Sequence, residues 1–308
     1  MAETYTTLSS QQILDFTAEV HSITQERMSF LTPYCTPKDF QGKYLRYIRS
    51  GQMARPTKKV SRFQDANLTD FSWDTRWADK ARYFHVLGID AQDEDEVGRK
   101  LTPEMTEAAV ASIMREIDKQ IYAAAEASVR VGATPVSGSD LTSTADGVTV
   151  INATSAFGLA TIGELRKNWD DSGVTGDIGR PPMSGGVPAD FLLLMGGAEK
   201  EDLLAETKLT SVDYVDTKPL VDGNINRVHG VNLLMYASNV QDPLMAASGG
   251  ERRLLGLARG GLCMALTQPE IQVQTRTDKL ETTQIVLSFH LAVLRTEGSR
   301  VQIVRVAA

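Results

Sequence analysis

"LTPEMTEAAVASIMREIDKQIYAAAEASVRVG", residues 101–132, decides the fold. Thr102 is placed to cap a helix, and Pro103 suits its first position. Glu104 and Glu107 favour the positive end of the helix dipole. Val110, Ile113, Met114, Ile117, Ile121 and Ala124 fall on one apolar stripe, and Gly132 supplies a stop. The pattern predicts a helix over about 103–131, roughly 43 Å long at 1.5 Å per residue. Ordinary globular helices run to about a dozen residues, so this one must act as a strut. Its alanine-rich last turns permit close approach of another element.

The segment before the strut is unusual in charge. "GKYLRYIRSGQMARPTKKVSRFQDA", residues 42–66, carries Lys43, Arg46, Arg49, Arg55, Lys58, Lys59 and Arg62 before its first acid, Asp65. Gly51 and Pro56 forbid a continuous helix there. "NLTDFSWDTRWADKARYFHVLGID", residues 67–90, mixes Asp70, Asp74 and Asp79 with Phe71, Trp73, Trp77, Tyr83 and Phe84. Residues 43–87 therefore read as a two-stranded excursion, basic on the way out and acidic and aromatic on the way back. A lone hairpin is marginal in water, so this one needs a surface to lie on. The run "DAQDEDEV" follows, with Asp90, Asp93, Glu94, Asp95 and Glu96.

Elsewhere the chain alternates helical and strand patterns. Ile13, Phe16, Val20, Ile23 and Met28 give an amphipathic helix over 10–30. After the strut come a second helix at about 155–169, an apolar strand Phe191–Met195 and a short charged helix, "AEKEDLLAET". Strand signals at 211–221 and 231–237 are joined by "DGNINRVHG". "EIQVQTRT", "TTQIVLSFHLAVLRT" and "RVQIVRV" make the last third strand-like, with Glu297 and Gly298 at the turn of a final hairpin.

Composition excludes several classes. The 308 residues carry a formal charge of −7, which disfavours a general nucleic-acid surface. No apolar run approaches the roughly 18 residues of a membrane span, and the first residues lack a secretory pattern. Cys35 and Cys263 fit no metal or redox spacing. A soluble protein made in a reducing cytoplasm is expected. His21, His85, His229 and His290 are scattered, and no HExxH, GxSxG or P-loop pattern occurs. "GLARGGLC" lacks the spacing of a dinucleotide loop, and "DAQDEDEV" lacks the glycine and closing glutamate of a calcium loop. No catalytic, metal or cofactor residue is assigned, and no enzyme is expected.

Three stretches carry a resemblance. "RYFHVLGIDAQDEDE" leads into the strut with its "REIDKQIYAAA"; "TKPLVDGNINRVHGVNLLMYASN" and "DKLETTQIVLSFHLAVLRTEGSRVQIV" follow in order. Together, over nearly the whole chain, they resemble the major capsid protein of tailed double-stranded-DNA bacteriophages. The resemblance implies an α+β fold with an N-terminal arm (1–41), an extended loop (42–88), a peripheral domain (89–184 and 263–308) holding the strut as a spine helix, and an axial α/β domain (185–262).

It also implies a function. Such a chain self-assembles through pentamers and hexamers into an icosahedral shell around the phage genome. The extended loop lies over the spine-helix domain of an adjacent subunit. Candidate contact residues are Lys43, Arg46, Arg49, Arg55, Lys58, Lys59, Arg62, Trp73 and Trp77, with Asp90, Asp93, Glu94, Asp95 and Glu96 as acidic partners. Single exposed pairs are worth only about 0–1 kcal/mol, but repetition around a ring fixes partner and register. Implied partners are a separate scaffolding protein, a portal and a decoration protein. Packaged DNA touches the shell only weakly and nonspecifically, and no membrane is involved. The implied location is the virion, after synthesis and assembly in the host cytoplasm. Some members join a loop lysine to a neighbour's asparagine. Lys58 and Lys59 lie near the tip, but neither the asparagine nor an assisting acid is identified. Three other readings stand beside this one. The first is a nucleic-acid binder using 43–63, with Tyr44, Tyr47 and Phe63 to stack on bases. The others are a cellular encapsulating shell of the same fold and an enzyme with a long dimerisation arm.

Overall fold

In the computed structural model, which describes residues 29–51, 58, 72–89, 102–136, 138–153, 157–174, 191–206, 227–236, 250–267, 270–276 and 282–307, the strut is a helix, α1, from Thr102 to Glu126. Its 25 residues span about 37 Å. Ala109, Val110, Ile113, Ile117, Ile121 and Ala125 are buried along one side, as the three-and-four spacing requires. The helix ends at Glu126, not near 131. Arg295 Nη1 donates to the carbonyls of Ala125 (2.9 Å) and Ala127 (2.8 Å), satisfying acceptors the last turn leaves open. The β-branched pair Val129 and Val131 then enters a strand. Gly132 is not the stop; its amide donates to Thr75 O at 3.0 Å and prolongs that strand's ladder.

In chain order the first strands are β1 (Thr36–Pro37), β2 (Tyr44–Ser50), β3 (Trp73–Asp79) and β4 (Ala81–Ile89). Then come β5 (Val129–Val131), β6 (Ser139–Leu141), β7 (Thr149–Asn152) and β8 (Phe191–Met195). The remainder are β9 (Arg227–Val228), β10 (Val231–Met235), β11 (Glu251–Ala258), β12 (Leu262–Leu266), β13 (Glu270–Arg276), β14 (Thr282–Arg295) and β15 (Val301–Ala307). Two further helices are α2 (Leu159–Asp171) and α3 (Gly197–Ala205). The helix expected at about 155–169 thus runs later, and the residues of the expected helix before Ser29 lie outside the described residues, as do 211–221. A short strand, β9, arises inside the segment read as a connection, and it pairs with β10 around His229 and Gly230. Both turn residues have positive φ (48° and 80°), the condition for a two-residue hairpin turn that matches strand twist.

Among the described residues three sheets form. The first runs β1-β12-β14-β13, with β4 also on β14; the second runs β7-β15-β11-β8-β10-β9; the third runs β2-β3-β5-β6. The excursion read over 43–87 therefore splits. Tyr44–Ser50 pairs antiparallel with Trp73–Asp79, but Ala81–Ile89 leaves that ladder and lies along β14. The main core gathers α1, α2 and the inner faces of the first two sheets. Trp169 packs 4.8 Å from Phe191 within it.

The expected final hairpin does not form. β14 stays in the first sheet and β15 enters the second, paired with β11 and β7. β11 and β12 cross between the same sheets beside it, and Thr296 ties the two crossings by donating from its amide to Gly261 O at 2.9 Å. Gly298 sits in the crossing, packed so closely that a Cβ there would lie 2.2 Å from the Asp146 carbonyl oxygen. Because the obstacle is backbone, Gly298→Ala should cost about 1–3 kcal/mol, read as a lowered urea midpoint at unchanged slope. At Gly256 the one contact a Cβ would make under 3.0 Å is with the movable Cδ1 end of Leu165 at 2.9 Å, the Gln302 carbonyl oxygen lying at 3.4 Å, so Gly256→Ala should cost less.

Candidate functional site

Pairing of Tyr44 with Asp79 and of Ser50 with Trp73 sorts the β2–β3 hairpin into two faces. Leu45, Tyr47, Arg49, Asp74, Arg76 and Ala78 face inward, and Leu45 and Arg76 are fully buried. The outward face carries Tyr44, Arg46, Ile48, Trp73 and Trp77. Trp77 stands edge-on to Tyr44 at 6.1 Å, and the Arg46 guanidinium lies 5.3 Å from the Trp77 ring centroid. Ile48 is 49% exposed and Trp73 68%. Such apolar exposure on a polar-rimmed strand pair is the composition of a contact surface, with arginine and tryptophan the residue types that anchor one.

The candidate residues distribute unevenly. Lys43 and Lys58 are exposed, and Arg46 and Arg49 are half-buried in β2. Arg55, Lys59, Arg62, Asp90, Asp93, Glu94, Asp95 and Glu96 lie outside the described residues. The structure thus unites Arg46 with Trp77, while the basic-to-acidic pairing is not among the described contacts.

What fixes the hairpin to the body is a set centred on Arg76, Asp146 and Arg295, none of which the sequence reading singled out. Arg76 sends Nη1 and Nη2 to the Asp146 carboxylate at 2.9 and 2.5 Å, and Nη1 also reaches Arg295 O at 3.0 Å. Arg295 Nε takes the other share of Asp146 at 2.7 Å. Asp74 adds a bond to Arg76 Nε at 3.2 Å. One carboxylate therefore joins the hairpin, the end of β14 and, through Arg295, the last turn of α1. Burial pulls the Arg76 pKa down, but its hydrogen bonds and charge pairing with Asp146 and Asp74 outweigh this, leaving it above the ordinary value. The Arg76 guanidinium stays charged.

Nothing comparable for chemistry emerges among the described residues. Among the described residues no group of three or more His, Cys, Asp or Glu is placed to hold a metal, and no described helix is long and apolar enough to cross a membrane. Thr36 pairs with Cys263, so Cys35 lies one residue before the strand beside Cys263, yet Cys35 belongs to the main core and Cys263 to a separate small one. Burial pushes the Cys263 thiol up to about 11 and that of Cys35 higher still, so neither is a ready thiolate.

The family described as phage capsid protein matches over residues 8–307. The chain belongs to the phage capsid protein family. No curated protein matches it in sequence. Among solved structures it is similar to the capsid of Ralstonia phage GP4 (11% identity, 91% of each chain covered, TM-score 0.62). It is also similar to a chain of Mycobacterium phage Che8 (13% identity, 86% of this chain and 85% of that one, TM-score 0.61). A third likeness is to the mature capsid of bacteriophage PhiM1 (14% identity, 91% and 87% covered, TM-score 0.62). At such identities these likenesses carry the fold, and the fold is that of tailed-phage capsid proteins. The chain is a structural, shell-forming protein of the phage particle. The nucleic-acid and cellular-shell readings are not favoured.

In this phage capsid protein a second buried acid holds the start of the described chain. Asp118 of α1 accepts from Ser29 Oγ and from the amides of Phe30 (3.3 Å) and Leu31 (3.2 Å). Burial raises its pKa, and the bonds from Ser29, Leu31 and Phe30 offset only part of that. The native state therefore holds the proton more tightly than the unfolded chain. Its contribution is full below the ordinary carboxylate range and is lost as pH rises through the raised value. Wild type should gain stability over Asp118→Asn as pH falls from neutral through that window, measured by urea unfolding of both across pH. A constant difference would contradict this.

Proposed function

We propose that the chain self-assembles, through pentamers and hexamers, into an icosahedral shell that encloses the phage genome, and that it does so without catalysing a reaction. The observation that carries this is the β2–β3 hairpin: a rigidly anchored arm whose outward face exposes Trp73 and Ile48 beside the Arg46–Trp77 stack. A ring of subunits covers such a face on every member. In this reading residues 42–88 form the extended loop and 1–41 the N-terminal arm. Residues 89–184 with 263–308 form the peripheral domain, and 185–262 the axial one. Lys43, Arg46, Arg49, Arg55, Lys58, Lys59 and Arg62 meet a neighbour's Asp90, Asp93, Glu94, Asp95 and Glu96, with Trp73 and Trp77 beneath.

A scaffolding protein and a portal direct closure, a decoration protein binds outside, and DNA makes weak nonspecific contact, all within the host cytoplasm. The likeness to solved capsid asymmetric units of bacteriophage PhiM1 and cyanophage Pam1 supports the assembly step. Sedimentation velocity and negative-stain imaging of the purified chain, alone and with the phage's scaffolding protein, test the reading. Rings or closed shells are expected. A stable monomer or dimer under both conditions would overturn it.

A further inference from the structure

A polar pocket of about 170 Å³ opens where the hairpin base meets the sheet crossing, lined by Thr36, Tyr47, Arg49, Thr296, Glu297 and Arg300. Two of its walls are guanidiniums. Arg300 is committed inward: Nε donates to Glu297 Oε2 at 2.8 Å and Nη1 to Arg259 O at 2.9 Å. Arg49 differs. Its cross-strand partner is Asp74, but Asp74 is turned to Arg76 Nε at 3.2 Å, and among the described residues Arg49 makes no ion pair. The pocket thus holds two positive groups and one carboxylate, and that carboxylate is already engaged. Burial depresses the Arg300 pKa, with the Tyr47 phenol opposing and the like charge of Arg49 adding to the effect. The two guanidiniums carry like charge, and an anion between them would offset it.

The geometry points to an oxyanion site, and we propose that its occupant is an aspartate or glutamate side chain of a second copy of this chain. The choice rests on the shell-forming reading and on charge. With 39 acids against 32 lysines and arginines, a neighbouring copy presents an excess of carboxylates. A planar carboxylate matches the guanidinium fork of Arg49, and the Thr36 and Tyr47 hydroxyls supply further donors. The site lies at the root of the hairpin, where an incoming acid would brace the same element whose outer face reaches for the other neighbour.

Arg49→Lys should unfold at the same urea concentration as wild type, and Arg49→Gln and Arg49→Glu no earlier, because Arg49 makes no ion pair among the described residues and faces the like charge of Arg300. Their assembly should separate. The concentration needed for half-maximal particle formation in sedimentation should rise more than about tenfold for Arg49→Glu, less for Arg49→Gln and least for Arg49→Lys. Sodium acetate should raise that concentration for wild type beyond the effect of sodium chloride at equal ionic strength, and should do so no more than chloride for Arg49→Gln. Equal assembly by wild type and Arg49→Glu overturns this inference while leaving the shell reading intact. So does unchanged assembly with lost retention of a single-stranded oligonucleotide, which would assign the pocket to phosphate. A wild-type chain that never assembles overturns both.

Discussion

Asp146→Ala is expected to cost about 3–5 kcal/mol, the range for breaking a buried ion pair from one side. The side chain is only 2% exposed and serves two guanidiniums that are themselves 1% and 0% exposed. Removing it leaves Arg76 and Arg295 charged, desolvated and facing each other. Asp74 remains near Arg76 but is about one-third exposed and bonds Nε alone, so its compensation is small. Against a usual domain stability of about 5–15 kcal/mol the loss is severe. At about 2–4 °C per kcal/mol for a chain of this size, it lowers the melting temperature by about 6–20 °C. Urea denaturation followed by tryptophan fluorescence measures it. A loss below about 1 kcal/mol would mean that water reaches the guanidiniums and that the cluster is not dry.

The same cluster should behave differently when removed as a whole. Replacing Asp146 and Arg76 together by leucine and methionine deletes both charges of the hairpin link, and buried pairs often exchange for apolar residues at little net cost. The double variant should therefore be more stable than Asp146→Ala. Arg295 must stay, because Ala125 O and Ala127 O depend on it. A double variant no better than the single one would assign the loss to Arg295 alone.

How far the sequence carries this reading depends on the range of the contacts that decide each feature. The existence of α1 is legible because its evidence is local: an apolar stripe repeating every three to four residues. Its end is not, because the cap is a side chain 168 to 170 residues away. β14 is legible from its own alternation. The hairpin expected after it rests on Glu297 and Gly298 reading as a turn between two strand patterns, whereas the actual path depends on Gly298 fitting against Asp146. The candidate site divides the same way. Arg46, Trp73 and Trp77 stand out within one basic and aromatic segment. Arg76, Asp146 and Arg295 are separated by 70, 149 and 219 residues, and only the arginine closing "LAVLR" departs from its local pattern. The 170 Å³ pocket draws on four separate segments and leaves no local trace.

Shortening the hairpin beyond its ladder should abolish shell formation while sparing the fold. The cut has to respect the anchor. Deleting everything between 45 and 80 would remove Leu45 and Arg76, both fully buried, and would confuse unfolding with loss of contact. The last ladder bond at the open end runs from Gly51 N to Ser72 O at 2.8 Å, so a short turn joining those two residues keeps β2, β3, β5 and the Asp146 cluster. Closure entropy changes only by about 0.6 kcal/mol per doubling of loop length, so urea unfolding should stay close to wild type. Sedimentation should show no particles at concentrations, and with scaffolding protein, where the full chain assembles. Normal assembly by the shortened chain would move the contact to the ladder itself. Trp73→Ala, which strips the outward face without touching the anchor, should then block assembly. If both variants assembled, neither the loop nor its aromatic face would hold neighbouring copies together, since the ladder would be intact in each.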